Sequence, residues 1–307
     1  MTQKSRKGET YRRTLKEKGS LALRTHPAKK REGEILKIAK TRVVTMAPTT
    51  PIYDAIQIMT KEGFRRIPII NPGTKTLQGI VTATDIINYL GGGDKFDIIQ
   101  KKFVGDFFKA IYEPAKAVMT KEVVSVKETA KMSKAINLMK QHNLGGLPIV
   151  DEENRVKGII TERDLMRMFR GKLTGTRISD AMTKEVTTIT PKTNILEAEN
   201  TMIKQGFRRL PIVSEDKILG IVTVMDILRF FGSNKVFENL ETGTIMQVLQ
   251  TPIMEIATKN VVSITPNKDV GEAARLMQEK NIGALLVVEN ERLIGMITER
   301  DFFKLIA

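Results

Sequence analysis

The sequence predicts an α+β protein assembled from four β-α-β-β-α units that pack in pairs. Three observations carry that prediction. Four segments share one spelling, "GIVTATD" (79–85), "GIITERD" (158–164), "GIVTVMD" (220–226) and "GMITERD" (295–301): Gly, two apolar residues, Thr, two variable residues, Asp. Ahead of each, a β-prone stretch, a helix-periodic stripe and an apolar strand-like run recur in the same order. The spacing of the four aspartates alternates: 79 residues from Asp85 to Asp164, 62 to Asp226 and 75 to Asp301. Copy one therefore groups with two, and three with four.

Each element has a local reason. "VVSV" (123–126) and "VVSI" (261–264) read as the opening strand. Thr50-Pro51, Thr190-Pro191 and Thr265-Pro266 follow in copies one, three and four. Thr as N-cap with Pro at the first helical position predicts a helix start at each. Ile52, Ala55, Ile56 and Met59 then form an apolar stripe at helical spacing. "RIPII", "LPIV", "LPIV" and "LLVV" read as buried strands, the Gly-apolar-apolar-Thr segments as the next strands, and the runs after each Asp, from "IINYL" to "FFKLI", as closing helices. A unit of about 55 residues is too small to bury both faces of its sheet, so it needs a sibling. The long intervals, "GGGDKFDIIQKKFVGDFFKAIYEP" and "GSNKVFENLETGTIMQVLQTP", each predict a connecting helix. The short one, "GKLTGTR", is a boundary. A second-order duplication overlies the first. Copies one and three share "GFRR[I/L]PI"; copies two and four share "N[L/I]G" and "ITERD", giving the order A-B-A′-B′.

Composition narrows the function. The 307 residues suit about two domains, with 41% hydrophobic and 5% aromatic content and no Trp, so the core is Ile, Val, Leu and Met. No Cys removes disulfides and thiolate chemistry, and two histidines, His26 and His142, make a His metal cluster or Ser-His-Asp triad improbable. His142 in "MKQHNLGG" reads as a helix-end residue. No apolar run reaches the roughly 18 residues of a membrane span, and no secretory signal is visible, so a soluble cytoplasmic protein is expected. The net charge is +15, and residues 1–34 hold eleven Lys or Arg against four Glu. That segment reads as a flexible tail or docking arm; nucleic-acid binding is the minority reading, since it has no interleaved aromatics beyond Tyr11.

Over residues 36–307 the four copies resemble CBS (cystathionine β-synthase) domains, and each pair resembles a Bateman module. The organisation is similar to that of the γ subunit of AMP-activated protein kinase and its stand-alone archaeal relatives. The resemblance implies a first module over 35–170 (repeats 35–90 and 115–170) and a second over 178–307 (repeats 178–231 and 253–307), following the basic segment 1–34. It also implies adenosine-containing ligands bound in clefts between paired units, with no fused catalytic domain.

On that resemblance, Asp85, Asp164, Asp226 and Asp301 at helix starts accept both ribose hydroxyls, and Thr82, Thr161, Thr223 and Thr298 add a hydroxyl nearby. For one isolated copy, Thr and Asp are better explained as a helix cap; the two roles can coexist. Basic residues two and three before the strand proline contact phosphate in similar γ-subunit repeats, and Arg65, Arg66, Arg208 and Arg209 occupy those positions. Copies two and four instead have Gly145-Gly146 and Gly283-Ala284, and offer Arg163 and Arg300 from "TERD"; those two compete with a reading as members of surface Glu-Arg pairs. Phe64 and Phe207, with the Ile or Val after each motif glycine, are candidates for the adenine wall; plain core is the competing reading, and for the Ile and Val the favoured one.

The expected function is that of a non-catalytic adenine-nucleotide sensor, with AMP, ADP or ATP as regulatory ligands and no cofactor or metal. A protein partner, of unknown identity, would read the ligand state, and a homodimer by self-pairing of like modules is a further option. S-adenosylmethionine and its thioether products are the alternative ligands, which the arginine pairs disfavour. An enzyme is disfavoured, because no nucleophile–base pair or metal constellation is spelled out.

Overall fold

The computed structural model describes residues 34–238, 240 and 243–306. The basic segment, apart from Glu34, lies outside the described residues, as does His26.

Each repeat contributes two helices around a small sheet. Repeat one has α1 (Ile52–Glu62), β1 (Arg66–Ile70), β2 (Leu77–Thr82) and α2 (Ala83–Ile87). Repeat two has β3 (Val126–Lys127), α3 (Met132–Gln141), β4 (Gly146–Val150), β5 (Val156–Thr161) and α4 (Glu162–Met166). Repeat three has α5 (Ile195–Gln205), β6 (Arg209–Ser214), β7 (Lys217–Thr223) and α6 (Val224–Phe231). Repeat four has β8 (Ser263–Ile264), α7 (Val270–Glu279), β9 (Ala284–Glu289), β10 (Arg292–Thr298) and α8 (Glu299–Ile306).

The opening strand runs parallel to the next in repeats two and four. In repeats one and three it shrinks to a single parallel bridge, Met46 to Ile69 and Ile189 to Ile212. Each long connection carries two short helices rather than one, Phe96–Phe103 with Phe107–Ile111 and Asn234–Glu238 with Ile245–Leu249. His142 ends α3, its backbone N–H donating to Leu138 O at 3.1 Å. Among the described residues no helix is long and apolar enough to cross a membrane.

The Thr-Pro expectation needs correcting. In repeat one Pro51 itself stands at the N-cap. In repeats three and four the helix begins four residues later, capped by Asn194 and Asp269. Asn194 completes a reciprocal capping box with Glu197, satisfying two orphan N–H groups where Thr190 would satisfy one.

The motif glycine explains how two repeats lock into a module. The lead-in of each repeat crosses to the second long strand of its sibling and forms a two-way backbone bridge. Lys40 pairs with Ile159, Thr120 with Ile80, Thr183 with Met296 and Thr258 with Ile221, at 2.9–3.0 Å. A Cβ on Gly79 would stand 3.1 Å from Thr120 O, and one on Gly220 3.0 Å from Thr258 O. Glycine is there because another backbone approaches.

The modules then meet like on like. One core cluster joins Ile52, Ile56 and Ile86 of repeat one to Ile195, Met202 and Ile227 of repeat three. Phe303 of α8 sits in the core of repeat two, and Met166 of α4 in that of repeat four. This packing places α4 and α8, which carry "ERD", side by side across the module boundary.

Candidate functional site

All four Thr-x-x-Asp sets build the same cap. Each Thr ends a strand and donates its N–H and Oγ to one carboxylate oxygen, Oδ2, of the Asp three residues on, at 2.6–2.9 Å. In the same turn Asp85 and Asp226 return their own N–H to the Thr hydroxyl. Capping is therefore a real role of these residues. It also modifies the expected two-oxygen grip on a diol: Oδ2 is already occupied by two donors, so each carboxylate offers Oδ1. That atom is met by Lys95 at 3.0 Å, Arg167 at 3.3 Å, Arg229 at 2.7 Å or Lys304 at 3.1 Å.

The four aspartates are not equally open. Asp226 and Thr223 line a cavity of about 320 Å3, and Asp85 and Thr82 its counterpart of about 270 Å3. Asp164, Asp301 and Asp226 are all buried, at 1%, 3% and 7% exposure, so Asp226 meets its cavity through a narrow face while the Asp85 side chain is 18% exposed. The cavity beside Thr161 is about 70 Å3 and Asp164 does not line it. The A-type copies thus have the open clefts, close to the 300 Å3 scale of small-molecule pockets.

Their apolar walls are equivalent residue by residue. Ile80, Val123, Val124, Leu144 and Pro148 line the first cleft, and Ile221, Val261, Val262, Ile282 and Leu286 the second. For the residue after the motif glycine the sequence favours plain core over a wall, yet Ile80 and Ile221 line the clefts. The Val-Val lead-in was read only as a strand, although its recurrence at 123–124 and 261–262 was available as a signal. Phe64 lines the small cavity, with Lys40 Nζ 5.2 Å from its ring centroid. Phe207 is 39% exposed and lines neither open cleft.

Both clefts are lined by members of one cluster of six arginines at the module boundary, the first by Arg66 and the second by Arg65, Arg163, Arg208 and Arg209. Arg65 and Arg163 of the first module both bind Glu299 of the second, Arg163 Nε at 2.6 Å from Oε1. Arg208 and Arg300 of the second module both bind Glu162 of the first, each at 2.9 Å. Asn281 accepts from Arg163 at 3.0 Å and Asn143 from Arg300 at 2.8 Å. The surface-pair reading of "ER" is thereby corrected. Glu162 and Glu299 follow the capping Thr at the first turn of helices that face each other, and both are buried. Sequence reasoning missed them and the two asparagines. Asn143 and Asn281 occupy left-handed positions, φ 54° and 52°, where the other copies have Gly63 and Gly206. An amide at such a turn is tolerated and leaves its side chain free to bind.

Two arginines stand apart. Arg66 and Arg209 form no ion pair among the described residues. Burial and their neighbouring arginines pull their pKa values down to about 10 and about 9. Copies two and four, which have no arginine at this edge, contribute space there. A Cβ on Gly146 would stand 2.5 Å from Arg66 Nη1, and one on Gly283 3.1 Å from Arg209 Nη2. Glu299 moves the other way. Burial alone would raise its carboxyl, but Arg65 and Arg163 hold it down at about 2. Glu162 is likewise lowered against burial, by Arg208 and Arg300. Six guanidinium groups face two carboxylates, leaving an excess of four positive charges. Among the described residues, no group of three or more His, Cys, Asp or Glu side chains could hold a metal ion.

Comparison with known proteins agrees with this architecture. The CBS-domain family profile matches residues 33–92, 115–171, 178–233 and 253–307. The chain is 37% identical over 276 residues to the protein MJ1225 of Methanocaldococcus jannaschii, covering 89% of this chain and 99% of that one. The crystal structure of MJ1225, described as that of a proposed archaeal homologue of the AMP-activated protein kinase γ subunit, superposes with a TM-score of 0.83 over 89% of this chain and 99% of that chain, at 35% identity. A 33.4 kDa protein encoded in the ribosomal RNA operon of Thermofilum pendens is 31% identical over 81% of this chain and 83% of its own length. A Pyrococcus horikoshii structure, at 23% identity and TM-score 0.57 over 88% of this chain and 98% of its own, shares the fold.

Proposed function

The chain belongs to the CBS-domain family, as four repeats in two Bateman modules, and from that premise we propose that it is a non-catalytic sensor of adenine nucleotides. One observation carries the reading. Each open cleft is lined by an arginine with no ion-pair partner among the described residues, Arg66 or Arg209, and by a capping aspartate, Asp85 or Asp226. Apolar walls complete each cleft. An unpaired, recessed guanidinium is a costly group whose natural complement is a phosphate oxygen. The aspartate suits a ribose hydroxyl, and the Val-Val, Ile and Leu or Pro walls suit a flat base.

The readout follows from where the cations converge. Arg65 and Arg163 tie the first module to Glu299 of the second, and Arg208 and Arg300 reciprocate at Glu162. An anion entering the cluster changes the contacts that fix one module against the other. A ligand that binds the two arrangements unequally shifts their populations, which a protein partner can sense. AMP, ADP and ATP are the ligands favoured over S-adenosylmethionine, because the unpaired arginines seek anionic charge. Titration calorimetry with the three nucleotides tests the reading. Binding is expected, and the absence of both heat and melting shift with all of them rejects it.

A further inference from the structure

We propose that Glu299 and Glu162 determine how many phosphates the Asp226 cleft accepts, acting as built-in carboxylate competitors for the cluster arginines. The inference rests on the nucleotide reading above and deepens it. Five arginines line the Asp226 cleft; Arg229 bonds Asp226 itself, and the other four, Arg65, Arg163, Arg208 and Arg209, belong to the boundary cluster. They are not equally available. Arg209 has no ion pair among the described residues, whereas Arg65 and Arg163 are both held by Glu299 and Arg208 by Glu162 at 2.9 Å.

A single phosphate therefore meets a guanidinium that no carboxylate bonds directly, although Glu299 and Glu162 act on it through space. A second or third phosphate reaches arginines already bonded to a carboxylate, two to each, and has to compete with it. Both carboxylates are fixed. They stand at the first turn of α4 and α8, their side chains only 1% and 3% exposed, and each is held by two arginines from the other module. They cannot swing into solvent to yield the position, so their charge stays beside any incoming polyphosphate and repels it. The copies with open clefts have Ala83 and Val224 at the equivalent residue, so the competitor is supplied only by the sibling repeats.

The experiment compares AMP and ATP affinities by titration calorimetry for the full chain and for Glu299→Gln. The amide keeps the shape and removes the charge. The expected result is that Glu299→Gln shifts the ratio of ATP to AMP affinity toward ATP by about tenfold or more, the scale of one charge-assisted hydrogen bond. Glu162→Gln, which releases Arg208, is expected to act in the same direction and serves if the first variant does not fold. Binding of both nucleotides with an unchanged ratio, or a shift toward AMP, overturns this inference and leaves the nucleotide reading standing. No binding of either nucleotide to the unaltered chain overturns both.

Discussion

Arg163 Nε donates a 2.6 Å hydrogen bond to Glu299 Oε1, joining the first turns of α4 and α8 across the module boundary. With Arg65 on the other oxygen, this carboxylate is one of two points where opposite modules share charge. Its folded pKa, near 2, lies below the ordinary value of 4.5. The proton is thus bound more tightly in the unfolded chain, and the contribution is fully present above about pH 4.5 and lost as pH falls toward 2. Glu299→Gln is expected to cost about 2 kcal/mol at pH 7, the scale of hydrogen bonds to charged groups. Urea unfolding at pH 7 and pH 4 checks it, the difference from the unaltered chain being smaller at the lower pH.

Arg209 makes the opposite prediction. With no ion pair among the described residues and a pKa drawn down by burial and by Arg208, it is a cation the ligand-free fold tolerates rather than uses. Arg209→Gln is expected to leave the melting temperature of the free protein unchanged or raised. The same change should weaken AMP binding by about tenfold to a hundredfold. A variant that melts lower and binds as before would assign Arg209 a purely structural role.

Cap and ligand contact can be separated at Asp226. Thr223→Val removes a hydroxyl that both donates to and accepts from Asp226, and is expected to cost about 1 kcal/mol of stability, as lost N-caps do. Asp226→Asn is expected to weaken AMP binding while leaving the affinity for a 2′,3′-dideoxy analogue nearly unchanged, since Oδ1 matters only where a hydroxyl is present. Equal losses for both compounds would place the effect in the cap.

The repeats, their pairing and the six arginines were legible in the sequence because each is a local pattern repeated at fixed spacing. What was not legible came from apposition. Glu162 and Glu299 look like helix-start charges beside an arginine; only the like-on-like packing of modules turns them toward arginines more than 40 residues away in Glu162's case and more than 200 in Arg65's. The inequality of the aspartates was also hidden. All four share the Thr-x-x-Asp spelling and the same Oδ2 cap, and the difference lies in whether the neighbouring copy brings an arginine pair or glycines. The late helix starts at Asn194 and Asp269 were readable, since Asn-x-x-Glu is a stronger cap signal than Thr-Pro.

Glu199 breaks the pseudo-symmetry of the module interface and predicts a pH dependence of its own. Gly232, ending α6, packs on Ile56 of α1, its Cβ position 2.9 Å from Ile56 Cγ2. Its counterpart Gly91 packs on Glu199 of α5, 2.9 Å from Oε2, with Leu249 alongside. Glu199 is fully buried, and neither of its oxygens has a hydrogen-bond partner in the described fold. Burial is the sole cause that pushes its carboxyl well above 4.5. The native state therefore keeps a proton that the unfolded chain releases above about pH 4.5. Stability falls with rising pH from there, by at most about 1.4 kcal/mol per unit, until the native carboxyl itself ionises. Glu199→Ile restores the residue that Ile56 provides on the other side. Its advantage in urea unfolding is expected to widen from pH 5 upward and then level off. Parallel pH profiles for the two proteins would show that Glu199 is ionised, and partnered, in the native state.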